Sequence, residues 1–162
     1  MNNLLKNIIP KTVFTLLIVA GSFTLLEAQR ADRSVGIGAQ FGQPTGLTLK
    51  FYNATGMSTD ILAAWDLDDF FFVNVHGLWE RHLGNSGRFH YFVGPGVFAG
   101  IRENGREGTS SNDFSAGLSG TLGLNVILGR VEIFGQVTPR LQLIDETNGA
   151  VGGGAGLRFY FK

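Results

Sequence analysis

The segment FSAGLSGTLGLNVIL, Phe114 to Leu128, alternates with a period of two. Phe114, Ala116, Leu118, Gly120, Leu122, Leu124, Val126 and Leu128 share one parity, while Ser115, Gly117, Ser119, Thr121, Gly123 and Asn125 share the other. Successive side chains of a β-strand point to opposite faces, so this is a strand with one apolar face and one small, polar face. Its fifteen residues exceed the ~5 to 6 usual in globular strands and suffice for the ~9 to 11 tilted residues that cross a bilayer.

The same rule extends in both directions along the chain. Val35, Ile37, Ala39 and Phe41 alternate with Gly36, Gly38 and Gln40; a turn at Gly42 to Gly46 follows, and Leu47, Leu49 and Phe51 resume the apolar face. Further apolar faces run through Thr59 to Leu67, Phe71 to Trp79, Phe89 to Ile101, Val131 to Leu143 and Val151 to Phe161. The count is eight strands. Between them lie short links, of which Glu103 to Asp113 is expected to be the longest, and Asp145 to Ala150 is read as a loop. Pro95 and Pro139 fall inside strands, where proline supplies no ladder donor, and a bulge is expected at one or both.

At the hairpin VGIGAQFGQPTGLTLKFY the sequence resembles a family of poorly characterised small outer-membrane β-barrel proteins, similar in size to the OmpA and OmpX type barrels. The resemblance covers roughly residues 34 to 162 and is carried by glycine with Pro-Thr-Gly between two alternating strands. It implies a fold and brings no catalytic residues. The terminal Phe159-Tyr160-Phe161, followed by Lys162, likewise resembles the aromatic C-terminal signal of outer-membrane barrels.

Composition and the N-terminal residues set the address. Lys6 and Lys11 precede a short apolar core, Val13 to Ala20, and Leu26-Glu27-Ala28 offers a cleavage site before Gln29, the pattern of an export signal over 1–28. The apolar core is too short for a membrane-spanning helix. Thirteen basic residues balance thirteen acidic ones, which removes any global field toward nucleic acid. The absence of cysteine removes disulfides, thiolate chemistry and a lipidated N-terminal Cys.

An even number of antiparallel strands can close on itself, either around an apolar interior, as in lipocalins, or with the apolar face toward lipid. Three features favour lipid. Lys50, Asp60, Asp66, His76, Glu80, His90, Glu132, Arg140 and Arg158 all occupy the parity opposite the apolar runs, as a lumen polar network would. Outward aromatics sort into two girdles, Phe41, Trp65, Phe71 and Phe114 at one end and Phe51, Trp79, Phe89, Tyr91, Phe159 and Phe161 at the other. A soluble barrel would also place Gly117, Gly123, Gly152, Gly154 and Gly156 on its surface, where they weaken strands without return.

The fold expected is therefore all-β: an eight-stranded antiparallel up-and-down transmembrane β-barrel over 34–162, after a cleaved signal peptide at 1–28 and a short segment at 29–33. It is expected in the outer membrane of a Gram-negative-type envelope, as a monomer with a side-chain-plugged lumen and a structural or surface-interaction role. Expected partners are outer-membrane lipids and lipopolysaccharide, with the outer-membrane assembly machinery during biogenesis, and no nucleic acid. Arg102 and Arg106, in the long loop, are candidates to contact lipopolysaccharide phosphates or an extracellular protein; against this stands a solvated loop of no fixed role. No cofactor, metal or catalytic residue is assigned. His76, Glu80 and His82, with His90, have the parity to converge on a metal, but the reading preferred for them is polar lumen residues hydrogen-bonded to neighbouring acids and bases. Alternatives are a narrow channel, a lipocalin-like periplasmic binder, and a lipid A acyl-modifying enzyme. For the last, Ser110, Ser111, Ser115 and Ser119 are present, and no histidine is expected beside them.

Overall fold

The computed structural model describes residues 30–66, 70–84, 87–104, 111–144 and 147–161, with the backbone alone at 66, 70, 102–104 and 111–113. The expected signal peptide, together with Gln29, Asp68, Asp69, Arg106 and Ser110, lies outside the described residues. Eight strands form: β1 (Val35–Gln43), β2 (Gly46–Phe51), β3 (Ser58–Asp66), β4 (Phe70–His82), β5 (Phe89–Asn104), β6 (Ser111–Leu128), β7 (Val131–Gln142) and β8 (Asn148–Phe161). Each pairs antiparallel with its chain neighbours, and β1 pairs with β8 from Val35↔Phe161 to Gln43↔Gly153, which closes the barrel. Closure gives every strand a paired neighbour on both sides.

Parity located the strands, and the structure corrects some of their ends. The connection expected from Glu103 to Asp113 shrinks, because the β5–β6 ladder continues through Arg102↔Asp113, Glu103↔Asn112 and Asn104↔Ser111. Arg102 is thus a strand residue and not part of a loop. Polar composition interrupts the hydropathy alternation there, yet it leaves backbone N–H and C=O groups free to extend the ladder. For the same reason β8 begins at Asn148, inside the expected loop. Between β6 and β7, Gly129 and Arg130 make a two-residue turn with Gly129 at φ 63°, a conformation that a Cβ would strain.

No bulge forms at either proline. The β4–β5 ladder has His76↔Gly96 and Trp79↔Val93, so two residues on each strand, Gly77 and Leu78 against Gly94 and Pro95, lie between paired positions. The β6–β7 ladder is interrupted in the same way around Pro139, between Ser119↔Arg140 and Leu122↔Val137. Register and parity carry through both interruptions. Losing one donor opens the ladder locally, and the pairs on either side hold the strands in place.

Polarity is inverted relative to a soluble protein. Among the described residues the fully enclosed set holds sixteen polar or charged side chains against nine hydrophobic ones, whereas Ile37, Leu47, Val97, Leu118, Leu122, Leu124, Val137 and Leu157 stand on the outside, each more than half exposed. Aromatics at the two ends run across strands as rows. Trp65 pairs with Phe71, Phe71 with Ile101 and Ile101 with Phe114 at the end away from the chain termini. Val35 pairs with both Phe51 and Phe161 at the opposite end, where Phe161 meets Phe159 edge-on at 5.1 Å. Phe71 and Trp79 are separated along β4 by about 26 Å at ~3.3 Å per residue, or about 20 Å across a belt tilted by ~40°.

Candidate functional site

The interior nearest the chain termini is an ion-pair network centred on Glu132. Its carboxylate is fully buried and accepts from Lys50 Nζ at 3.2 Å, from Asn125 Nδ2 at 2.6 Å and from the Tyr160 hydroxyl. Arg30 and Arg158 each bring a guanidinium nitrogen to 3.5 Å from the same carboxylate. Glu80 forms the second hub. It receives Arg30 Nη2 at 2.5 Å, Lys50 Nζ at 2.9 Å and Asn125 Nδ2 at 3.0 Å. Arg158 also donates Nη2 to both oxygens of Asp60, at 2.8 and 2.9 Å, and Nε to Thr48 Oγ1 at 2.9 Å. Three cations therefore face three carboxylates, so the buried charge is neutral as a set.

Inward glycines make these bonds possible. Gly36 pairs with Lys50 on one side and Tyr160 on the other, and a Cβ there would come 2.8 Å from the Tyr160 ring. Gly38 stands between Thr48 and Arg158 in the same way. At Gly38 the missing side chain lets Thr48 and Arg158, two strands apart, bond over the top of the middle strand. An eight-stranded barrel has an interior wide enough only for side chains, so such vacancies decide what fits.

Above the network lies an apolar layer of Leu78, Phe92 and Phe134, with Arg158 Cζ 3.8 Å from the Phe134 ring centroid. A neutral polar layer follows. Gln136 Nε2 donates to Gln40 Oε1 at 2.8 Å, and Ser119 Oγ donates to Asn74 Oδ1 at 2.8 Å. Ala64, Phe72 and Phe98 cluster toward the far end.

The nine residues assigned to the lumen by parity do not form one group. Lys50, Asp60, Glu80, Glu132 and Arg158 meet in the network, whereas His76 lies in the neutral layer and Arg140 is separate, with Cζ 5.0 Å from the Phe72 ring. His90 is buried at the terminal end beside His82, ring centroids 4.5 Å apart, and His82 itself is exposed. The side chain of Asp66 lies outside the described residues, as does Arg106. All ten girdle aromatics are on the outer face, from Tyr91 at 38% exposed to Phe41 at 68%. Among the described residues, no three acidic or histidine side chains converge in a way that could hold a metal.

Two features were missed by sequence reasoning. Arg30 precedes β1, outside any alternating pattern, yet its side chain enters the barrel and lies 3.4 Å over the Tyr52 ring. The second corrects an expectation: a histidine does stand beside a serine, with His76 Nε2 3.2 Å from Ser119 Oγ. They meet across Gly96, which pairs with both. The Ser119 hydroxyl also bonds to Asn74 Oδ1 at 2.8 Å, and the donor in its contact with His76 is set by the imidazole tautomer.

The geometry defines a class: a closed eight-stranded barrel, apolar outside and ion-paired within. Compared with solved structures, the chain is similar to the N-terminal β-barrel domain of Pseudomonas aeruginosa OprF, at 13% identity and a TM-score of 0.64 over 82% of this chain and 100% of that one. It is also similar to Neisserial surface protein A, NspA, at 12% identity and 0.52 over 79% and 94%. No protein-family model matches the chain, and comparison with curated sequences finds no match. The similarity extends the resemblance seen in the first hairpin to the fold of the whole barrel.

Proposed function

We propose that the chain is a small integral outer-membrane barrel with a structural or surface-interaction role and a lumen sealed by its own side chains. The observation that carries this is the inverted polarity. A band of exposed Leu, Val and Ile between two aromatic rows is unfavourable in water and favourable in lipid, and each strand that carries it pairs with a neighbour on both sides. A lipocalin-like soluble binder would need the opposite arrangement.

Export through a cleaved signal over 1–28 leaves Arg30 next to the new N-terminus, where it docks against Glu80 and Glu132 and closes the periplasmic end. Phe159, Tyr160 and Phe161 then belong to the strand that the assembly machinery recognises, and the barrel functions as a monomer among outer-membrane lipids and lipopolysaccharide. The Ser119–His76 pair is a structural contact in this reading, since both side chains are buried and the hydroxyl is also bonded to Asn74. Reconstitution into planar bilayers tests the seal. A sealed lumen gives no steady ion conductance, while stable single-channel steps from the native protein would favour the narrow channel instead.

A further inference from the structure

Among the described residues, Arg140 is the one interior Lys or Arg that the plug does not use. Arg30, Lys50 and Arg158 each have two carboxylate partners, whereas Arg140 has no ion pair among the described residues. Its Nε is buried and has no hydrogen-bond partner. Gly152 leaves room for it, because a Cβ there would come 2.9 Å from Arg140 Nη2. The guanidinium borders a cavity of about 190 Å³ at the mouth away from the chain termini. The stacked rings of Phe72 and Phe98, 5.8 Å apart, form part of its wall, and Ser115, Gln142 and Asn148 supply polar groups.

A half-buried guanidinium with its Nε shut off from solvent and no counter-charge among the described residues is costly, and its planar fork matches a carboxylate in bidentate geometry. The aromatic wall beside it suits a flat apolar body and offers nothing to a bare, strongly hydrated anion. The volume is below the ~300 Å³ at which drug-sized sites begin and just above the ~150 Å³ that holds a benzene ring. We propose that this mouth is a binding site for a small aryl or short-chain carboxylate, with Arg140 holding the carboxylate and Phe72 and Phe98 holding its apolar part. The network around Glu132 lies below, so the site is a blind vestibule that captures its ligand without passing it through the barrel.

The test is 19F NMR of 4-fluorobenzoate added to the full-length mature protein refolded in micelles, with inorganic phosphate and 4-fluorobenzyl alcohol as comparison probes. Saturable binding of 4-fluorobenzoate is expected, at least tenfold tighter than either comparison probe. Arg140→Gln should weaken it at least tenfold, the loss of one charge-assisted pair. Ala150→Trp fills the cavity and keeps the guanidinium, and it should weaken binding as much; the slower migration of a boiled sample on gels checks that both variants are folded. Absence of saturable binding to the native protein overturns the proposal. So does phosphate or the alcohol binding as tightly as the carboxylate, or retention of binding in either folded variant. If one variant does not fold, the other decides alone.

Discussion

Lys50 and Glu132 stand 82 positions apart in the chain and are bonded across the lumen at 3.2 Å, both side chains shut off from solvent. Neither strand could hold its charge alone, because an unpaired ion in this interior costs several kcal/mol. The network is therefore cooperative by construction. Glu132→Ala leaves Lys50, Arg30 and Arg158 short of one carboxylate and should destabilise the folded barrel by about 3 to 5 kcal/mol. Urea unfolding in micelles measures this, and a change below about 1 kcal/mol would mean that water already compensates these charges.

Arg30 closes the network from outside the strands, bonded to Glu80 at 2.5 Å and to the Tyr160 hydroxyl at 3.0 Å. Arg30→Ala removes the peg and leaves the eight ladders untouched. Intermittent conductance should appear in planar bilayers where the native protein is silent, while the boiled and unboiled bands keep their native separation on gels.

Leu122 is 60% exposed on the outer face of β6, between the aromatic rows. Leu122→Arg should cost about 2 to 4 kcal/mol if that face meets the bilayer midplane. On a water-facing surface the same change would fall within about 0.5 kcal/mol. Equilibrium unfolding from lipid vesicles separates the two.

Glycines of the same barrel should respond in opposite ways. A Cβ at Gly96 would lie 2.4 Å from the Val75 carbonyl oxygen and 2.4 Å from the His76 ring, so Gly96→Val should abolish refolding. Nothing lies within 4 Å of a Cβ at Gly135, and Gly135→Ala should fold with stability unchanged to within about 1 kcal/mol. Refolding yield, read from the heat-dependent gel shift, scores both.

Strand number, inward and outward faces and closure were legible in the sequence because a period of two survives any register. The contacts within the lumen were not, since they depend on which residues the ladders bring level. His76 and Ser119 are 43 positions apart and meet only because Gly96 faces both. Pairing Gly96 with each neighbour would have revealed them, but parity alone carries no register. Arg30 gave no signal at all, as a peg outside the strands has no periodicity to read. Pro95 and Pro139 misled in the other direction, because a missing donor suggests an inserted residue, while these ladders simply open and resume. Hydropathy also marked Arg102 as a loop residue, although the backbone there continues to pair.

Fractionation of expressing cells, combined with gels of boiled and unboiled samples, decides whether the apolar face meets lipid around a closed barrel. Recovery in the outer-membrane fraction is expected, with an unboiled band that runs faster than the boiled one. Recovery as a detergent-free periplasmic protein would contradict it.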